Sequence, residues 1–173
     1  MPRDERTLLL LGLLMVQSQY GYQINEFIEH NLKAVVDMKK STAYAVLDRL
    51  AARGYVSVET VQEGRRPPRH VYSITEAGIE RFRSLLRDGL ASPDSRAGDV
   101  PLMFLDHLPR EEVVDALTHR LRAVQGQLEE RRRLPSHAMV RGVDLAIQHQ
   151  IALFEAEILW IESALHALTA PTP

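Results

Sequence analysis

The chain has 173 residues, of which 45% are hydrophobic and 25% charged, and this composition is ordinary for a globular protein. It has no cysteine, which excludes disulfides, thiol catalysis and thiolate metal sites. Its longest apolar run, Leu8 to Val16, is too short to cross a membrane and is not followed by the small-residue cleavage site of a signal peptide. We therefore expect a cytoplasmic protein with no membrane partner.

The charge is unevenly distributed along the chain. The net charge is −2, yet the stretch from Lys33 to Tyr72 holds eight basic and four acidic residues. Residues 91–173, in contrast, hold eight basic and twelve acidic residues. A basic segment inside an acidic protein predicts that any contact with nucleic-acid phosphates is local to that segment.

The N-terminal part of the chain predicts three helices. Residues Thr7 to Gln17 are rich in leucine and predict a largely buried helix. A second helix is predicted from Tyr22 to about Asn31, because its apolar residues recur at helical spacing. The third helix is predicted to run from an N-cap at Ser41 or Thr42 to Arg53.

A β-hairpin is predicted after the third helix. Gly54 is expected to end that helix in a left-handed conformation, and the alternating β-branched residues of Tyr55 to Val61 predict a strand. His70 to Ile74 predicts the partner strand, and the turn between the two contains Pro67-Pro68, which excludes regular structure there. Thr75 is expected to cap a fourth helix.

Three helices followed by a two-stranded wing is the plan of a winged helix-turn-helix. The predicted fold class is mainly α with a small two-stranded β wing, in which a C-terminal helical dimerisation domain follows the N-terminal winged helix-turn-helix. We expect the winged helix at residues 1–90 and a linker of small and polar residues at 91–100. Residues 101–173 are expected to form an α-helical dimerisation domain that is also a possible effector domain.

The C-terminal half predicts two long amphipathic helices. The first is expected to begin with Pro109 at its N1 position and to stop at Pro135. The last helix carries apolar residues every three or four positions, a pattern that describes a seam in need of a partner helix. Because two such helices cannot bury both flanks alone, we expect a homodimer. The predicted dimerisation residues are Val140, Ile147, Ile151, Phe154, Ile158, Ile161 and Leu165.

The third helix is predicted to be the one that reads DNA. In a helix-turn-helix the second helix of the motif enters the major groove, and its N-terminal residues meet phosphates and base edges. Asp48 is out of place on such a surface, because a carboxylate repels phosphate unless a base pairs with it. A capped surface helix with solvated lysines is the alternative interpretation. The residues predicted on the outward side are Lys39, Lys40, Ser41, Thr42, Tyr44 and Arg49.

The predicted wing has a basic tip. Arg65, Arg66 and Arg69 lie within five residues and flank Pro67-Pro68, which stiffens the turn. A stiff basic loop loses little entropy on docking, and it can lie across a phosphate backbone or place an arginine in the minor groove. A solvated turn is the alternative. Because both basic clusters occur in the order that a winged helix requires, we expect double-stranded DNA as the partner.

Several segments, taken together, resemble the PadR family of bacterial regulators. Leu10-Leu11-Gly12-Leu13-Leu14 and Gly21-Tyr22-Gln23-Ile24 are similar to the opening of that family's domain. Pro67-Pro68-Arg69-His70-Val71-Tyr72, followed by Ile74-Thr75-Glu76-Ala77-Gly78, resembles its wing and exit. The C-terminal half resembles the larger PadR subgroup in layout only. The segment similar to the family's recognition helix is Ser41-Thr42-Ala43-Tyr44 with Leu47, Arg49, Leu50 and Gly54.

This resemblance implies a homodimer, usually a repressor, that releases its operator DNA when an effector binds. A two-fold dimer binds a palindromic operator, because its two recognition helices meet successive turns of the duplex. The residues that the resemblance assigns to DNA are Ser41, Thr42 and Tyr44 on the helix and Arg65, Arg66 and Arg69 on the wing.

No enzyme, metal site or cofactor is predicted. The seven histidines form neither an HExxH motif nor a pair at i, i+4, and no glycine-rich phosphate loop occurs. Trp160 is a candidate wall for a small-molecule effector, with simple packing beside Ile158 and Ile161 as the alternative. Two other functions stay open: a MarR-like or other winged-helix regulator, and a winged helix that serves as a protein–protein interaction module without DNA.

Overall fold

A computed structural model of the chain describes residues 3–16, 19–32, 36, 38–62, 68–94, 99–134 and 141–170. The predicted site residues Arg65, Arg66 and Val140 lie outside these ranges. The elements, in chain order, are α1 (Arg3–Val16), β1 (Gln19–Tyr20), α2 (Gly21–Asn31), α3 (Lys40–Ala52), β2 (Val56–Val61), β3 (Arg69–Ile74), α4 (Glu76–Ala91), α5 (Val100–Met103), a 3₁₀ turn (Leu105–His107), α6 (Arg110–Arg132) and α7 (Arg141–Thr169).

Tertiary contacts divide the chain into two compact units. The first comprises Met1–Gly89 with Asp94–Leu108, and the second comprises Leu90–Pro93 with Pro109–Pro173. The predicted fold class, mainly α with a small β wing, is confirmed. The sequence predicted domains at 1–90 and 101–173, with a linker at 91–100. Those domains are parts that would fold independently, and they stay a prediction. No helix in the described part of the chain is long and apolar enough to cross a membrane.

The leucine-rich helix α1 forms the centre of the first unit, as predicted. The side chains from Leu8 to Leu11 are at most 1% exposed, and the helix contacts α3, α5 and β3. The ring of Phe104 lies directly on the backbone of α1, because a methyl group on Gly12 would come within 2.5 Å of its Cζ atom. Phe82 of α4 meets that ring edge-on, with 5.8 Å between the centroids.

A compact junction connects the end of α3 to the wing and to α4. Gly54 has φ +73°, the left-handed conformation predicted for the end of the helix. The hydroxyl of Thr75 donates to the carbonyl of Gly54 at 2.7 Å and accepts the amide of Gly78 at 3.1 Å, which confirms Thr75 as the cap of α4. A methyl group on Gly78 would overlap the carbonyl oxygen of Tyr55. These contacts fix the wing relative to the helix that precedes it.

The sheet has three strands in the order β1-β3-β2, one more than the two predicted. The predicted hairpin is present, with β2 and β3 antiparallel from Val56 opposite Ile74 to Val61 opposite Arg69. The additional strand β1 has two residues, Gln19 and Tyr20, which pair with Tyr72 and Val71 of β3. Two residues are too few to show a strand periodicity, so sequence reasoning treated this segment only as a break between helices.

The second unit is built on the helical pair α6 and α7, which pack along each other. Pro109 is the N-cap of α6 and not its N1 residue, so the predicted position is wrong by one residue. On α7, Ile161 is completely buried, while Ile147, Ile151, Phe154, Ile158 and Leu165 are half-buried. The predicted seam therefore forms the less exposed side of α7 within one chain, and dimerisation through it stays a prediction.

A buried ion pair lies in this second unit. The side chain of Arg120 on α6 is 7% exposed, and its Nη2 atom lies 2.6 Å from Oε1 of Glu157 on α7. The guanidinium also lies over the ring of Trp160, 5.8 Å from its centroid. The apolar pattern of α6 did not predict Arg120 as a buried residue, because an arginine is buried only where a partner from another element neutralises it.

Candidate nucleic-acid interface

The helix α3 begins two or three positions earlier than predicted. Lys39 is the N-cap, with φ −72° and ψ 148°, and its carbonyl accepts the amides of Thr42 and Ala43 at 2.9 and 3.1 Å. The prediction that Ser41 or Thr42 caps the helix is wrong, since the backbone is already helical at Lys40 and both hydroxyls lie within the first turn. The side chain of this N-cap residue makes no capping hydrogen bond.

This helix end is suited to phosphate. The first amides of an α-helix have no partner within the helix, and the helix dipole gives that end a partial positive charge. Here the uncapped amides lie beside two exposed lysines, Lys39 and Lys40. Amides, dipole and ammonium groups all favour an anion at the same place.

Burial decides which face of α3 is available to a ligand. The inward face consists of Ala43, Val46, Leu47 and Leu50, each at most 3% exposed. Ser41, Ala45 and Asp48 lie on the opposite, exposed face, and Thr42 is half-buried. The structure thus leaves the predicted Ser41 available for a hydrogen bond to DNA and keeps Asp48 on the same surface.

Tyr44 lies on one flank of α3 and has a packing role. A methyl group on Gly21 would lie 2.8 Å from Cε1 of Tyr44 and 3.1 Å from Cε2 of Tyr72, so both rings lie against the start of α2. Burial of the Tyr72 ring raises its pKa above the usual value, and the nearby Asp48 and Tyr44 raise it further. A contact between the Tyr44 hydroxyl and DNA stays a prediction.

Arg49 lies on the other flank of the same helix. Five residues separate it from Tyr44, which places the two about 140° apart around the helix axis. Together with Arg53 and Arg81, Arg49 lines a cleft formed by α1, α3 and α4. The structure therefore does not bring Arg49 together with the other predicted DNA-binding residues of α3.

A pair of stacked aromatic rings lies under Arg69, the arginine of the predicted wing tip that is within the described residues. Arg69 begins β3, and its guanidinium lies over the ring of Tyr22, 5.3 Å from the centroid. Tyr22 in turn stacks on Tyr20 at 5.6 Å, with 26° between the ring planes. Sequence reasoning identified Arg69 but missed Tyr22, because the stack joins residues 47 positions apart. In the sequence near Tyr22, the only feature that could have indicated the stack was the pair of tyrosines flanking Gly21.

The described winged-helix elements coincide with a known family. Residues 10–84 match the model of the transcriptional regulator PadR-like family. This segment contains α2, α3, the three strands and parts of α1 and α4. Over this segment the chain is similar to the PadR-like family of transcriptional regulators. The resemblance found in the sequence motifs is thereby confirmed.

Individual proteins show the same similarity. The negative transcriptional regulator PadR of Bacillus subtilis (strain 168) is 24% identical over 123 residues, which is 70% of this chain and 68% of that protein. Bacillus subtilis PadR in complex with operator DNA is a similar solved structure, with 21% identity, 94% of this chain and 98% of that chain covered, and a TM-score of 0.47. A transcriptional regulator from Clostridium thermocellum has 28% identity, coverage of 47% and 79%, and a TM-score of 0.43.

The stack on Tyr22 leads to a prediction for this PadR-like protein. We expect Tyr22→Ala to weaken duplex binding about twofold to fivefold, because an exposed cation–π contact contributes about 0.5–1 kcal/mol to holding Arg69 in place. Tyr22→Phe keeps a ring under the guanidinium and should bind like the unmodified protein. Fluorescence anisotropy measures both affinities, and circular dichroism confirms that each variant is folded. Equal losses for the two variants would exclude the stack as the cause.

Proposed function

We propose that this PadR-like regulator binds operator DNA as a homodimer and represses transcription until an effector releases it. The observation that carries the proposal is the uncapped N-terminus of α3 beside Lys39 and Lys40, within the segment that matches the family. The similar protein from Bacillus subtilis is a negative transcriptional regulator, which supports repression. The family is one of regulators, so we assign this protein no enzymatic activity and place it in the cytoplasm with its DNA.

The proposed docking uses α3 for reading and the wing for positioning. The N-terminus of α3 enters the major groove, where Lys39 and Lys40 contact phosphates and Ser41 reaches base edges. Asp48, on the same exposed face, accepts a hydrogen bond from the amino group of cytosine and disfavours other bases. Arg69 at the tip end of the wing strands, together with Arg65 and Arg66, contacts the adjacent backbone. Thr42 and Tyr44 complete the proposed helix surface.

The proposed dimer is supported by the apolar surface of α7. Beyond the half-buried residues of the predicted seam, Leu145, Leu153 and Leu159 are 54%, 53% and 68% exposed. An apolar surface of this kind, left exposed on one chain, favours a protein–protein contact. A second copy of α7 covers it in the proposed dimer, and two-fold symmetry then presents two recognition helices, about 34 Å apart, to successive turns of DNA.

The proposed effector contact is Trp160. Its ring is 40% exposed and carries the guanidinium of Arg120 on one side. An exposed aromatic ring offers a flat apolar wall to a small molecule. An effector that favours a different arrangement of the dimer would lower DNA affinity by its preference between the two states.

Selection of bound duplexes from a random library tests this function. The full-length protein should enrich an inverted repeat whose half-sites lie about 10 bp apart, centre to centre, because each copy places one helix in a major groove. Parallel selection with Asp48→Ala should relax the preference at one position in each half-site. Enrichment of no motif would refute sequence-specific binding. A single, unrepeated half-site would refute the dimer.

A further inference from the structure

The first unit contains a cleft that the proposed DNA-reading surface does not use. Three arginines line it: Arg49 of α3, Arg53 immediately after α3, and Arg81 of α4. The side chains of Thr7 and Tyr55 border the same space. The cleft lies on the flank of α3 turned away from Tyr44, so its occupant would be distinct from the base pairs read by the exposed face.

The positive charge of this cleft has little compensation. Arg81 lies 3.6 Å from Asp4, whose side chain is 76% exposed. Within the described ranges, neither Arg49 nor Arg53 has a carboxylate at ion-pair distance. These two arginines are four residues apart on α3, a spacing at which like charges destabilise a helix. The negative end of the helix dipole accounts for arginines near the end of α3, but not for Arg81 converging on them from another helix.

The chemistry of the cleft suits a phosphate. Guanidinium groups present paired N–H donors that match two oxygens of a phosphate, and three of them surround one space here. Val46 and Leu50 form an apolar floor, which strengthens the attraction between opposite charges. The enclosed part of the space is only about 20 Å³, so a phosphate bound here would lie at the open mouth of the cleft.

We propose that the cleft of Arg49, Arg53 and Arg81 is a second anion site, which binds a phosphate group. The group is supplied by a phosphorylated small molecule or by a DNA backbone outside the contacts of α3. The proposal does not depend on the proposed function, because it concerns the binding of an oxyanion to the free protein. Since α3 forms one wall of the cleft, an occupied site would also stabilise the position of the reading helix.

Pyrophosphate is the probe for this site. Isothermal titration of the full-length protein with pyrophosphate at low ionic strength should show saturable binding. We expect Arg53→Gln with Arg81→Gln to weaken this binding by about tenfold or more, because each lost guanidinium removes a charge-assisted hydrogen bond. Arg83→Gln is the matched control, since Arg83 lies on α4, pairs with Glu80 and does not line the cleft. It should bind like the unmodified protein.

Thermal melting distinguishes a variant that fails to fold from one that folds but fails to bind pyrophosphate. The thermal melts of the variants should match, because Arg53 is exposed and Arg81 makes only a long ion pair. Arg53→Lys keeps the charge but not the paired donors, so it should retain part of the pyrophosphate affinity. Binding that is absent in the unmodified protein, or equal in Arg53→Gln/Arg81→Gln and Arg83→Gln, would overturn the proposal.

Duplex binding identifies the source of the phosphate. If a DNA backbone fills the cleft, Arg53→Gln with Arg81→Gln should lower the slope of log affinity against log salt by about two units relative to Arg83→Gln. If a phosphorylated small molecule fills it, the same double variant should lose pyrophosphate binding with an unchanged slope. Either result supports an anion site in the cleft, whereas unchanged pyrophosphate binding together with an unchanged slope contradicts it.

Discussion

Replacing Lys39 and Lys40 by alanine is expected to weaken duplex binding about 50-fold at roughly 0.1 M salt and to lower the salt slope by about two units. The reason is that each ammonium group that neutralises a phosphate releases a condensed counterion from DNA. Both side chains are exposed beside the uncapped start of α3, so their removal leaves the core intact. Fluorescence anisotropy over a series of salt concentrations measures the affinity and the slope together.

A matched variant separates this local effect from the loss of net charge. Arg83→Ala with Arg122→Ala also removes two positive charges, one from a partly exposed position on α4 and one from an exposed position on α6. It should leave the slope nearly unchanged. The lysine variant should lose affinity by a similar factor for every duplex sequence, because phosphates carry no sequence information. Equal losses in the two double variants would mean that α3 does not contact the backbone.

Arg120→Ala is expected to lower the free energy of unfolding by roughly 1–3 kcal/mol, because it leaves the Glu157 carboxylate, whose side chain is 25% exposed, without its partner. Glu157 would lose the guanidinium 2.6 Å from its carboxylate, and the Trp160 ring would lose a neighbour. Urea unfolding followed by fluorescence measures the change. Trp160 is the only tryptophan of the chain, so the signal reports on this site.

Two further variants test that explanation. Arg120→Met with Glu157→Met leaves no unpaired charge and should recover most of the lost stability. Arg132→Ala breaks the exposed pair with Glu155, whose atoms are 2.7 Å apart, and should destabilise the protein far less than Arg120→Ala does. A loss for Arg120→Ala no greater than that for Arg132→Ala would contradict a special role for the buried pair.

The elements that sequence reasoning placed well are those ended by local backbone chemistry. Gly54 ends α3 because glycine readily adopts a positive φ, and the Thr75 cap begins α4 because a hydroxyl satisfies a free amide. Both signals depend on neighbours within a few residues. The start of α3 was misplaced because Lys39 caps it without a side chain. The strand β1 was missed because its hydrogen bonds come from β3, about 50 residues later in the chain.

The residues of the candidate site also fall into those that local sequence could predict and those that only the folded chain brings together. Lys39 and Lys40 were found because they adjoin a helix start, whereas the stack of Tyr22 under Arg69 required the folded sheet. The arginine cleft joins residues of α3 and its end to Arg81, which lies 28 residues after Arg53. No short stretch of sequence therefore contains the whole cleft. The apolar period of α7 coincides with the less exposed side of that helix, and the seam between two copies stays a prediction. A period alone does not distinguish a partner helix in the same chain from one in a second copy.

Fluorescence anisotropy with the full-length protein tests the claim that its winged helix binds DNA specifically. The duplexes are the selected inverted repeat and a scrambled duplex of the same length and composition. We predict saturable binding to the repeat, at least about a thousandfold tighter than to the scrambled duplex, with an affinity that falls as salt increases. No binding to either duplex at low salt would contradict the claim and would favour a winged helix that contacts only proteins.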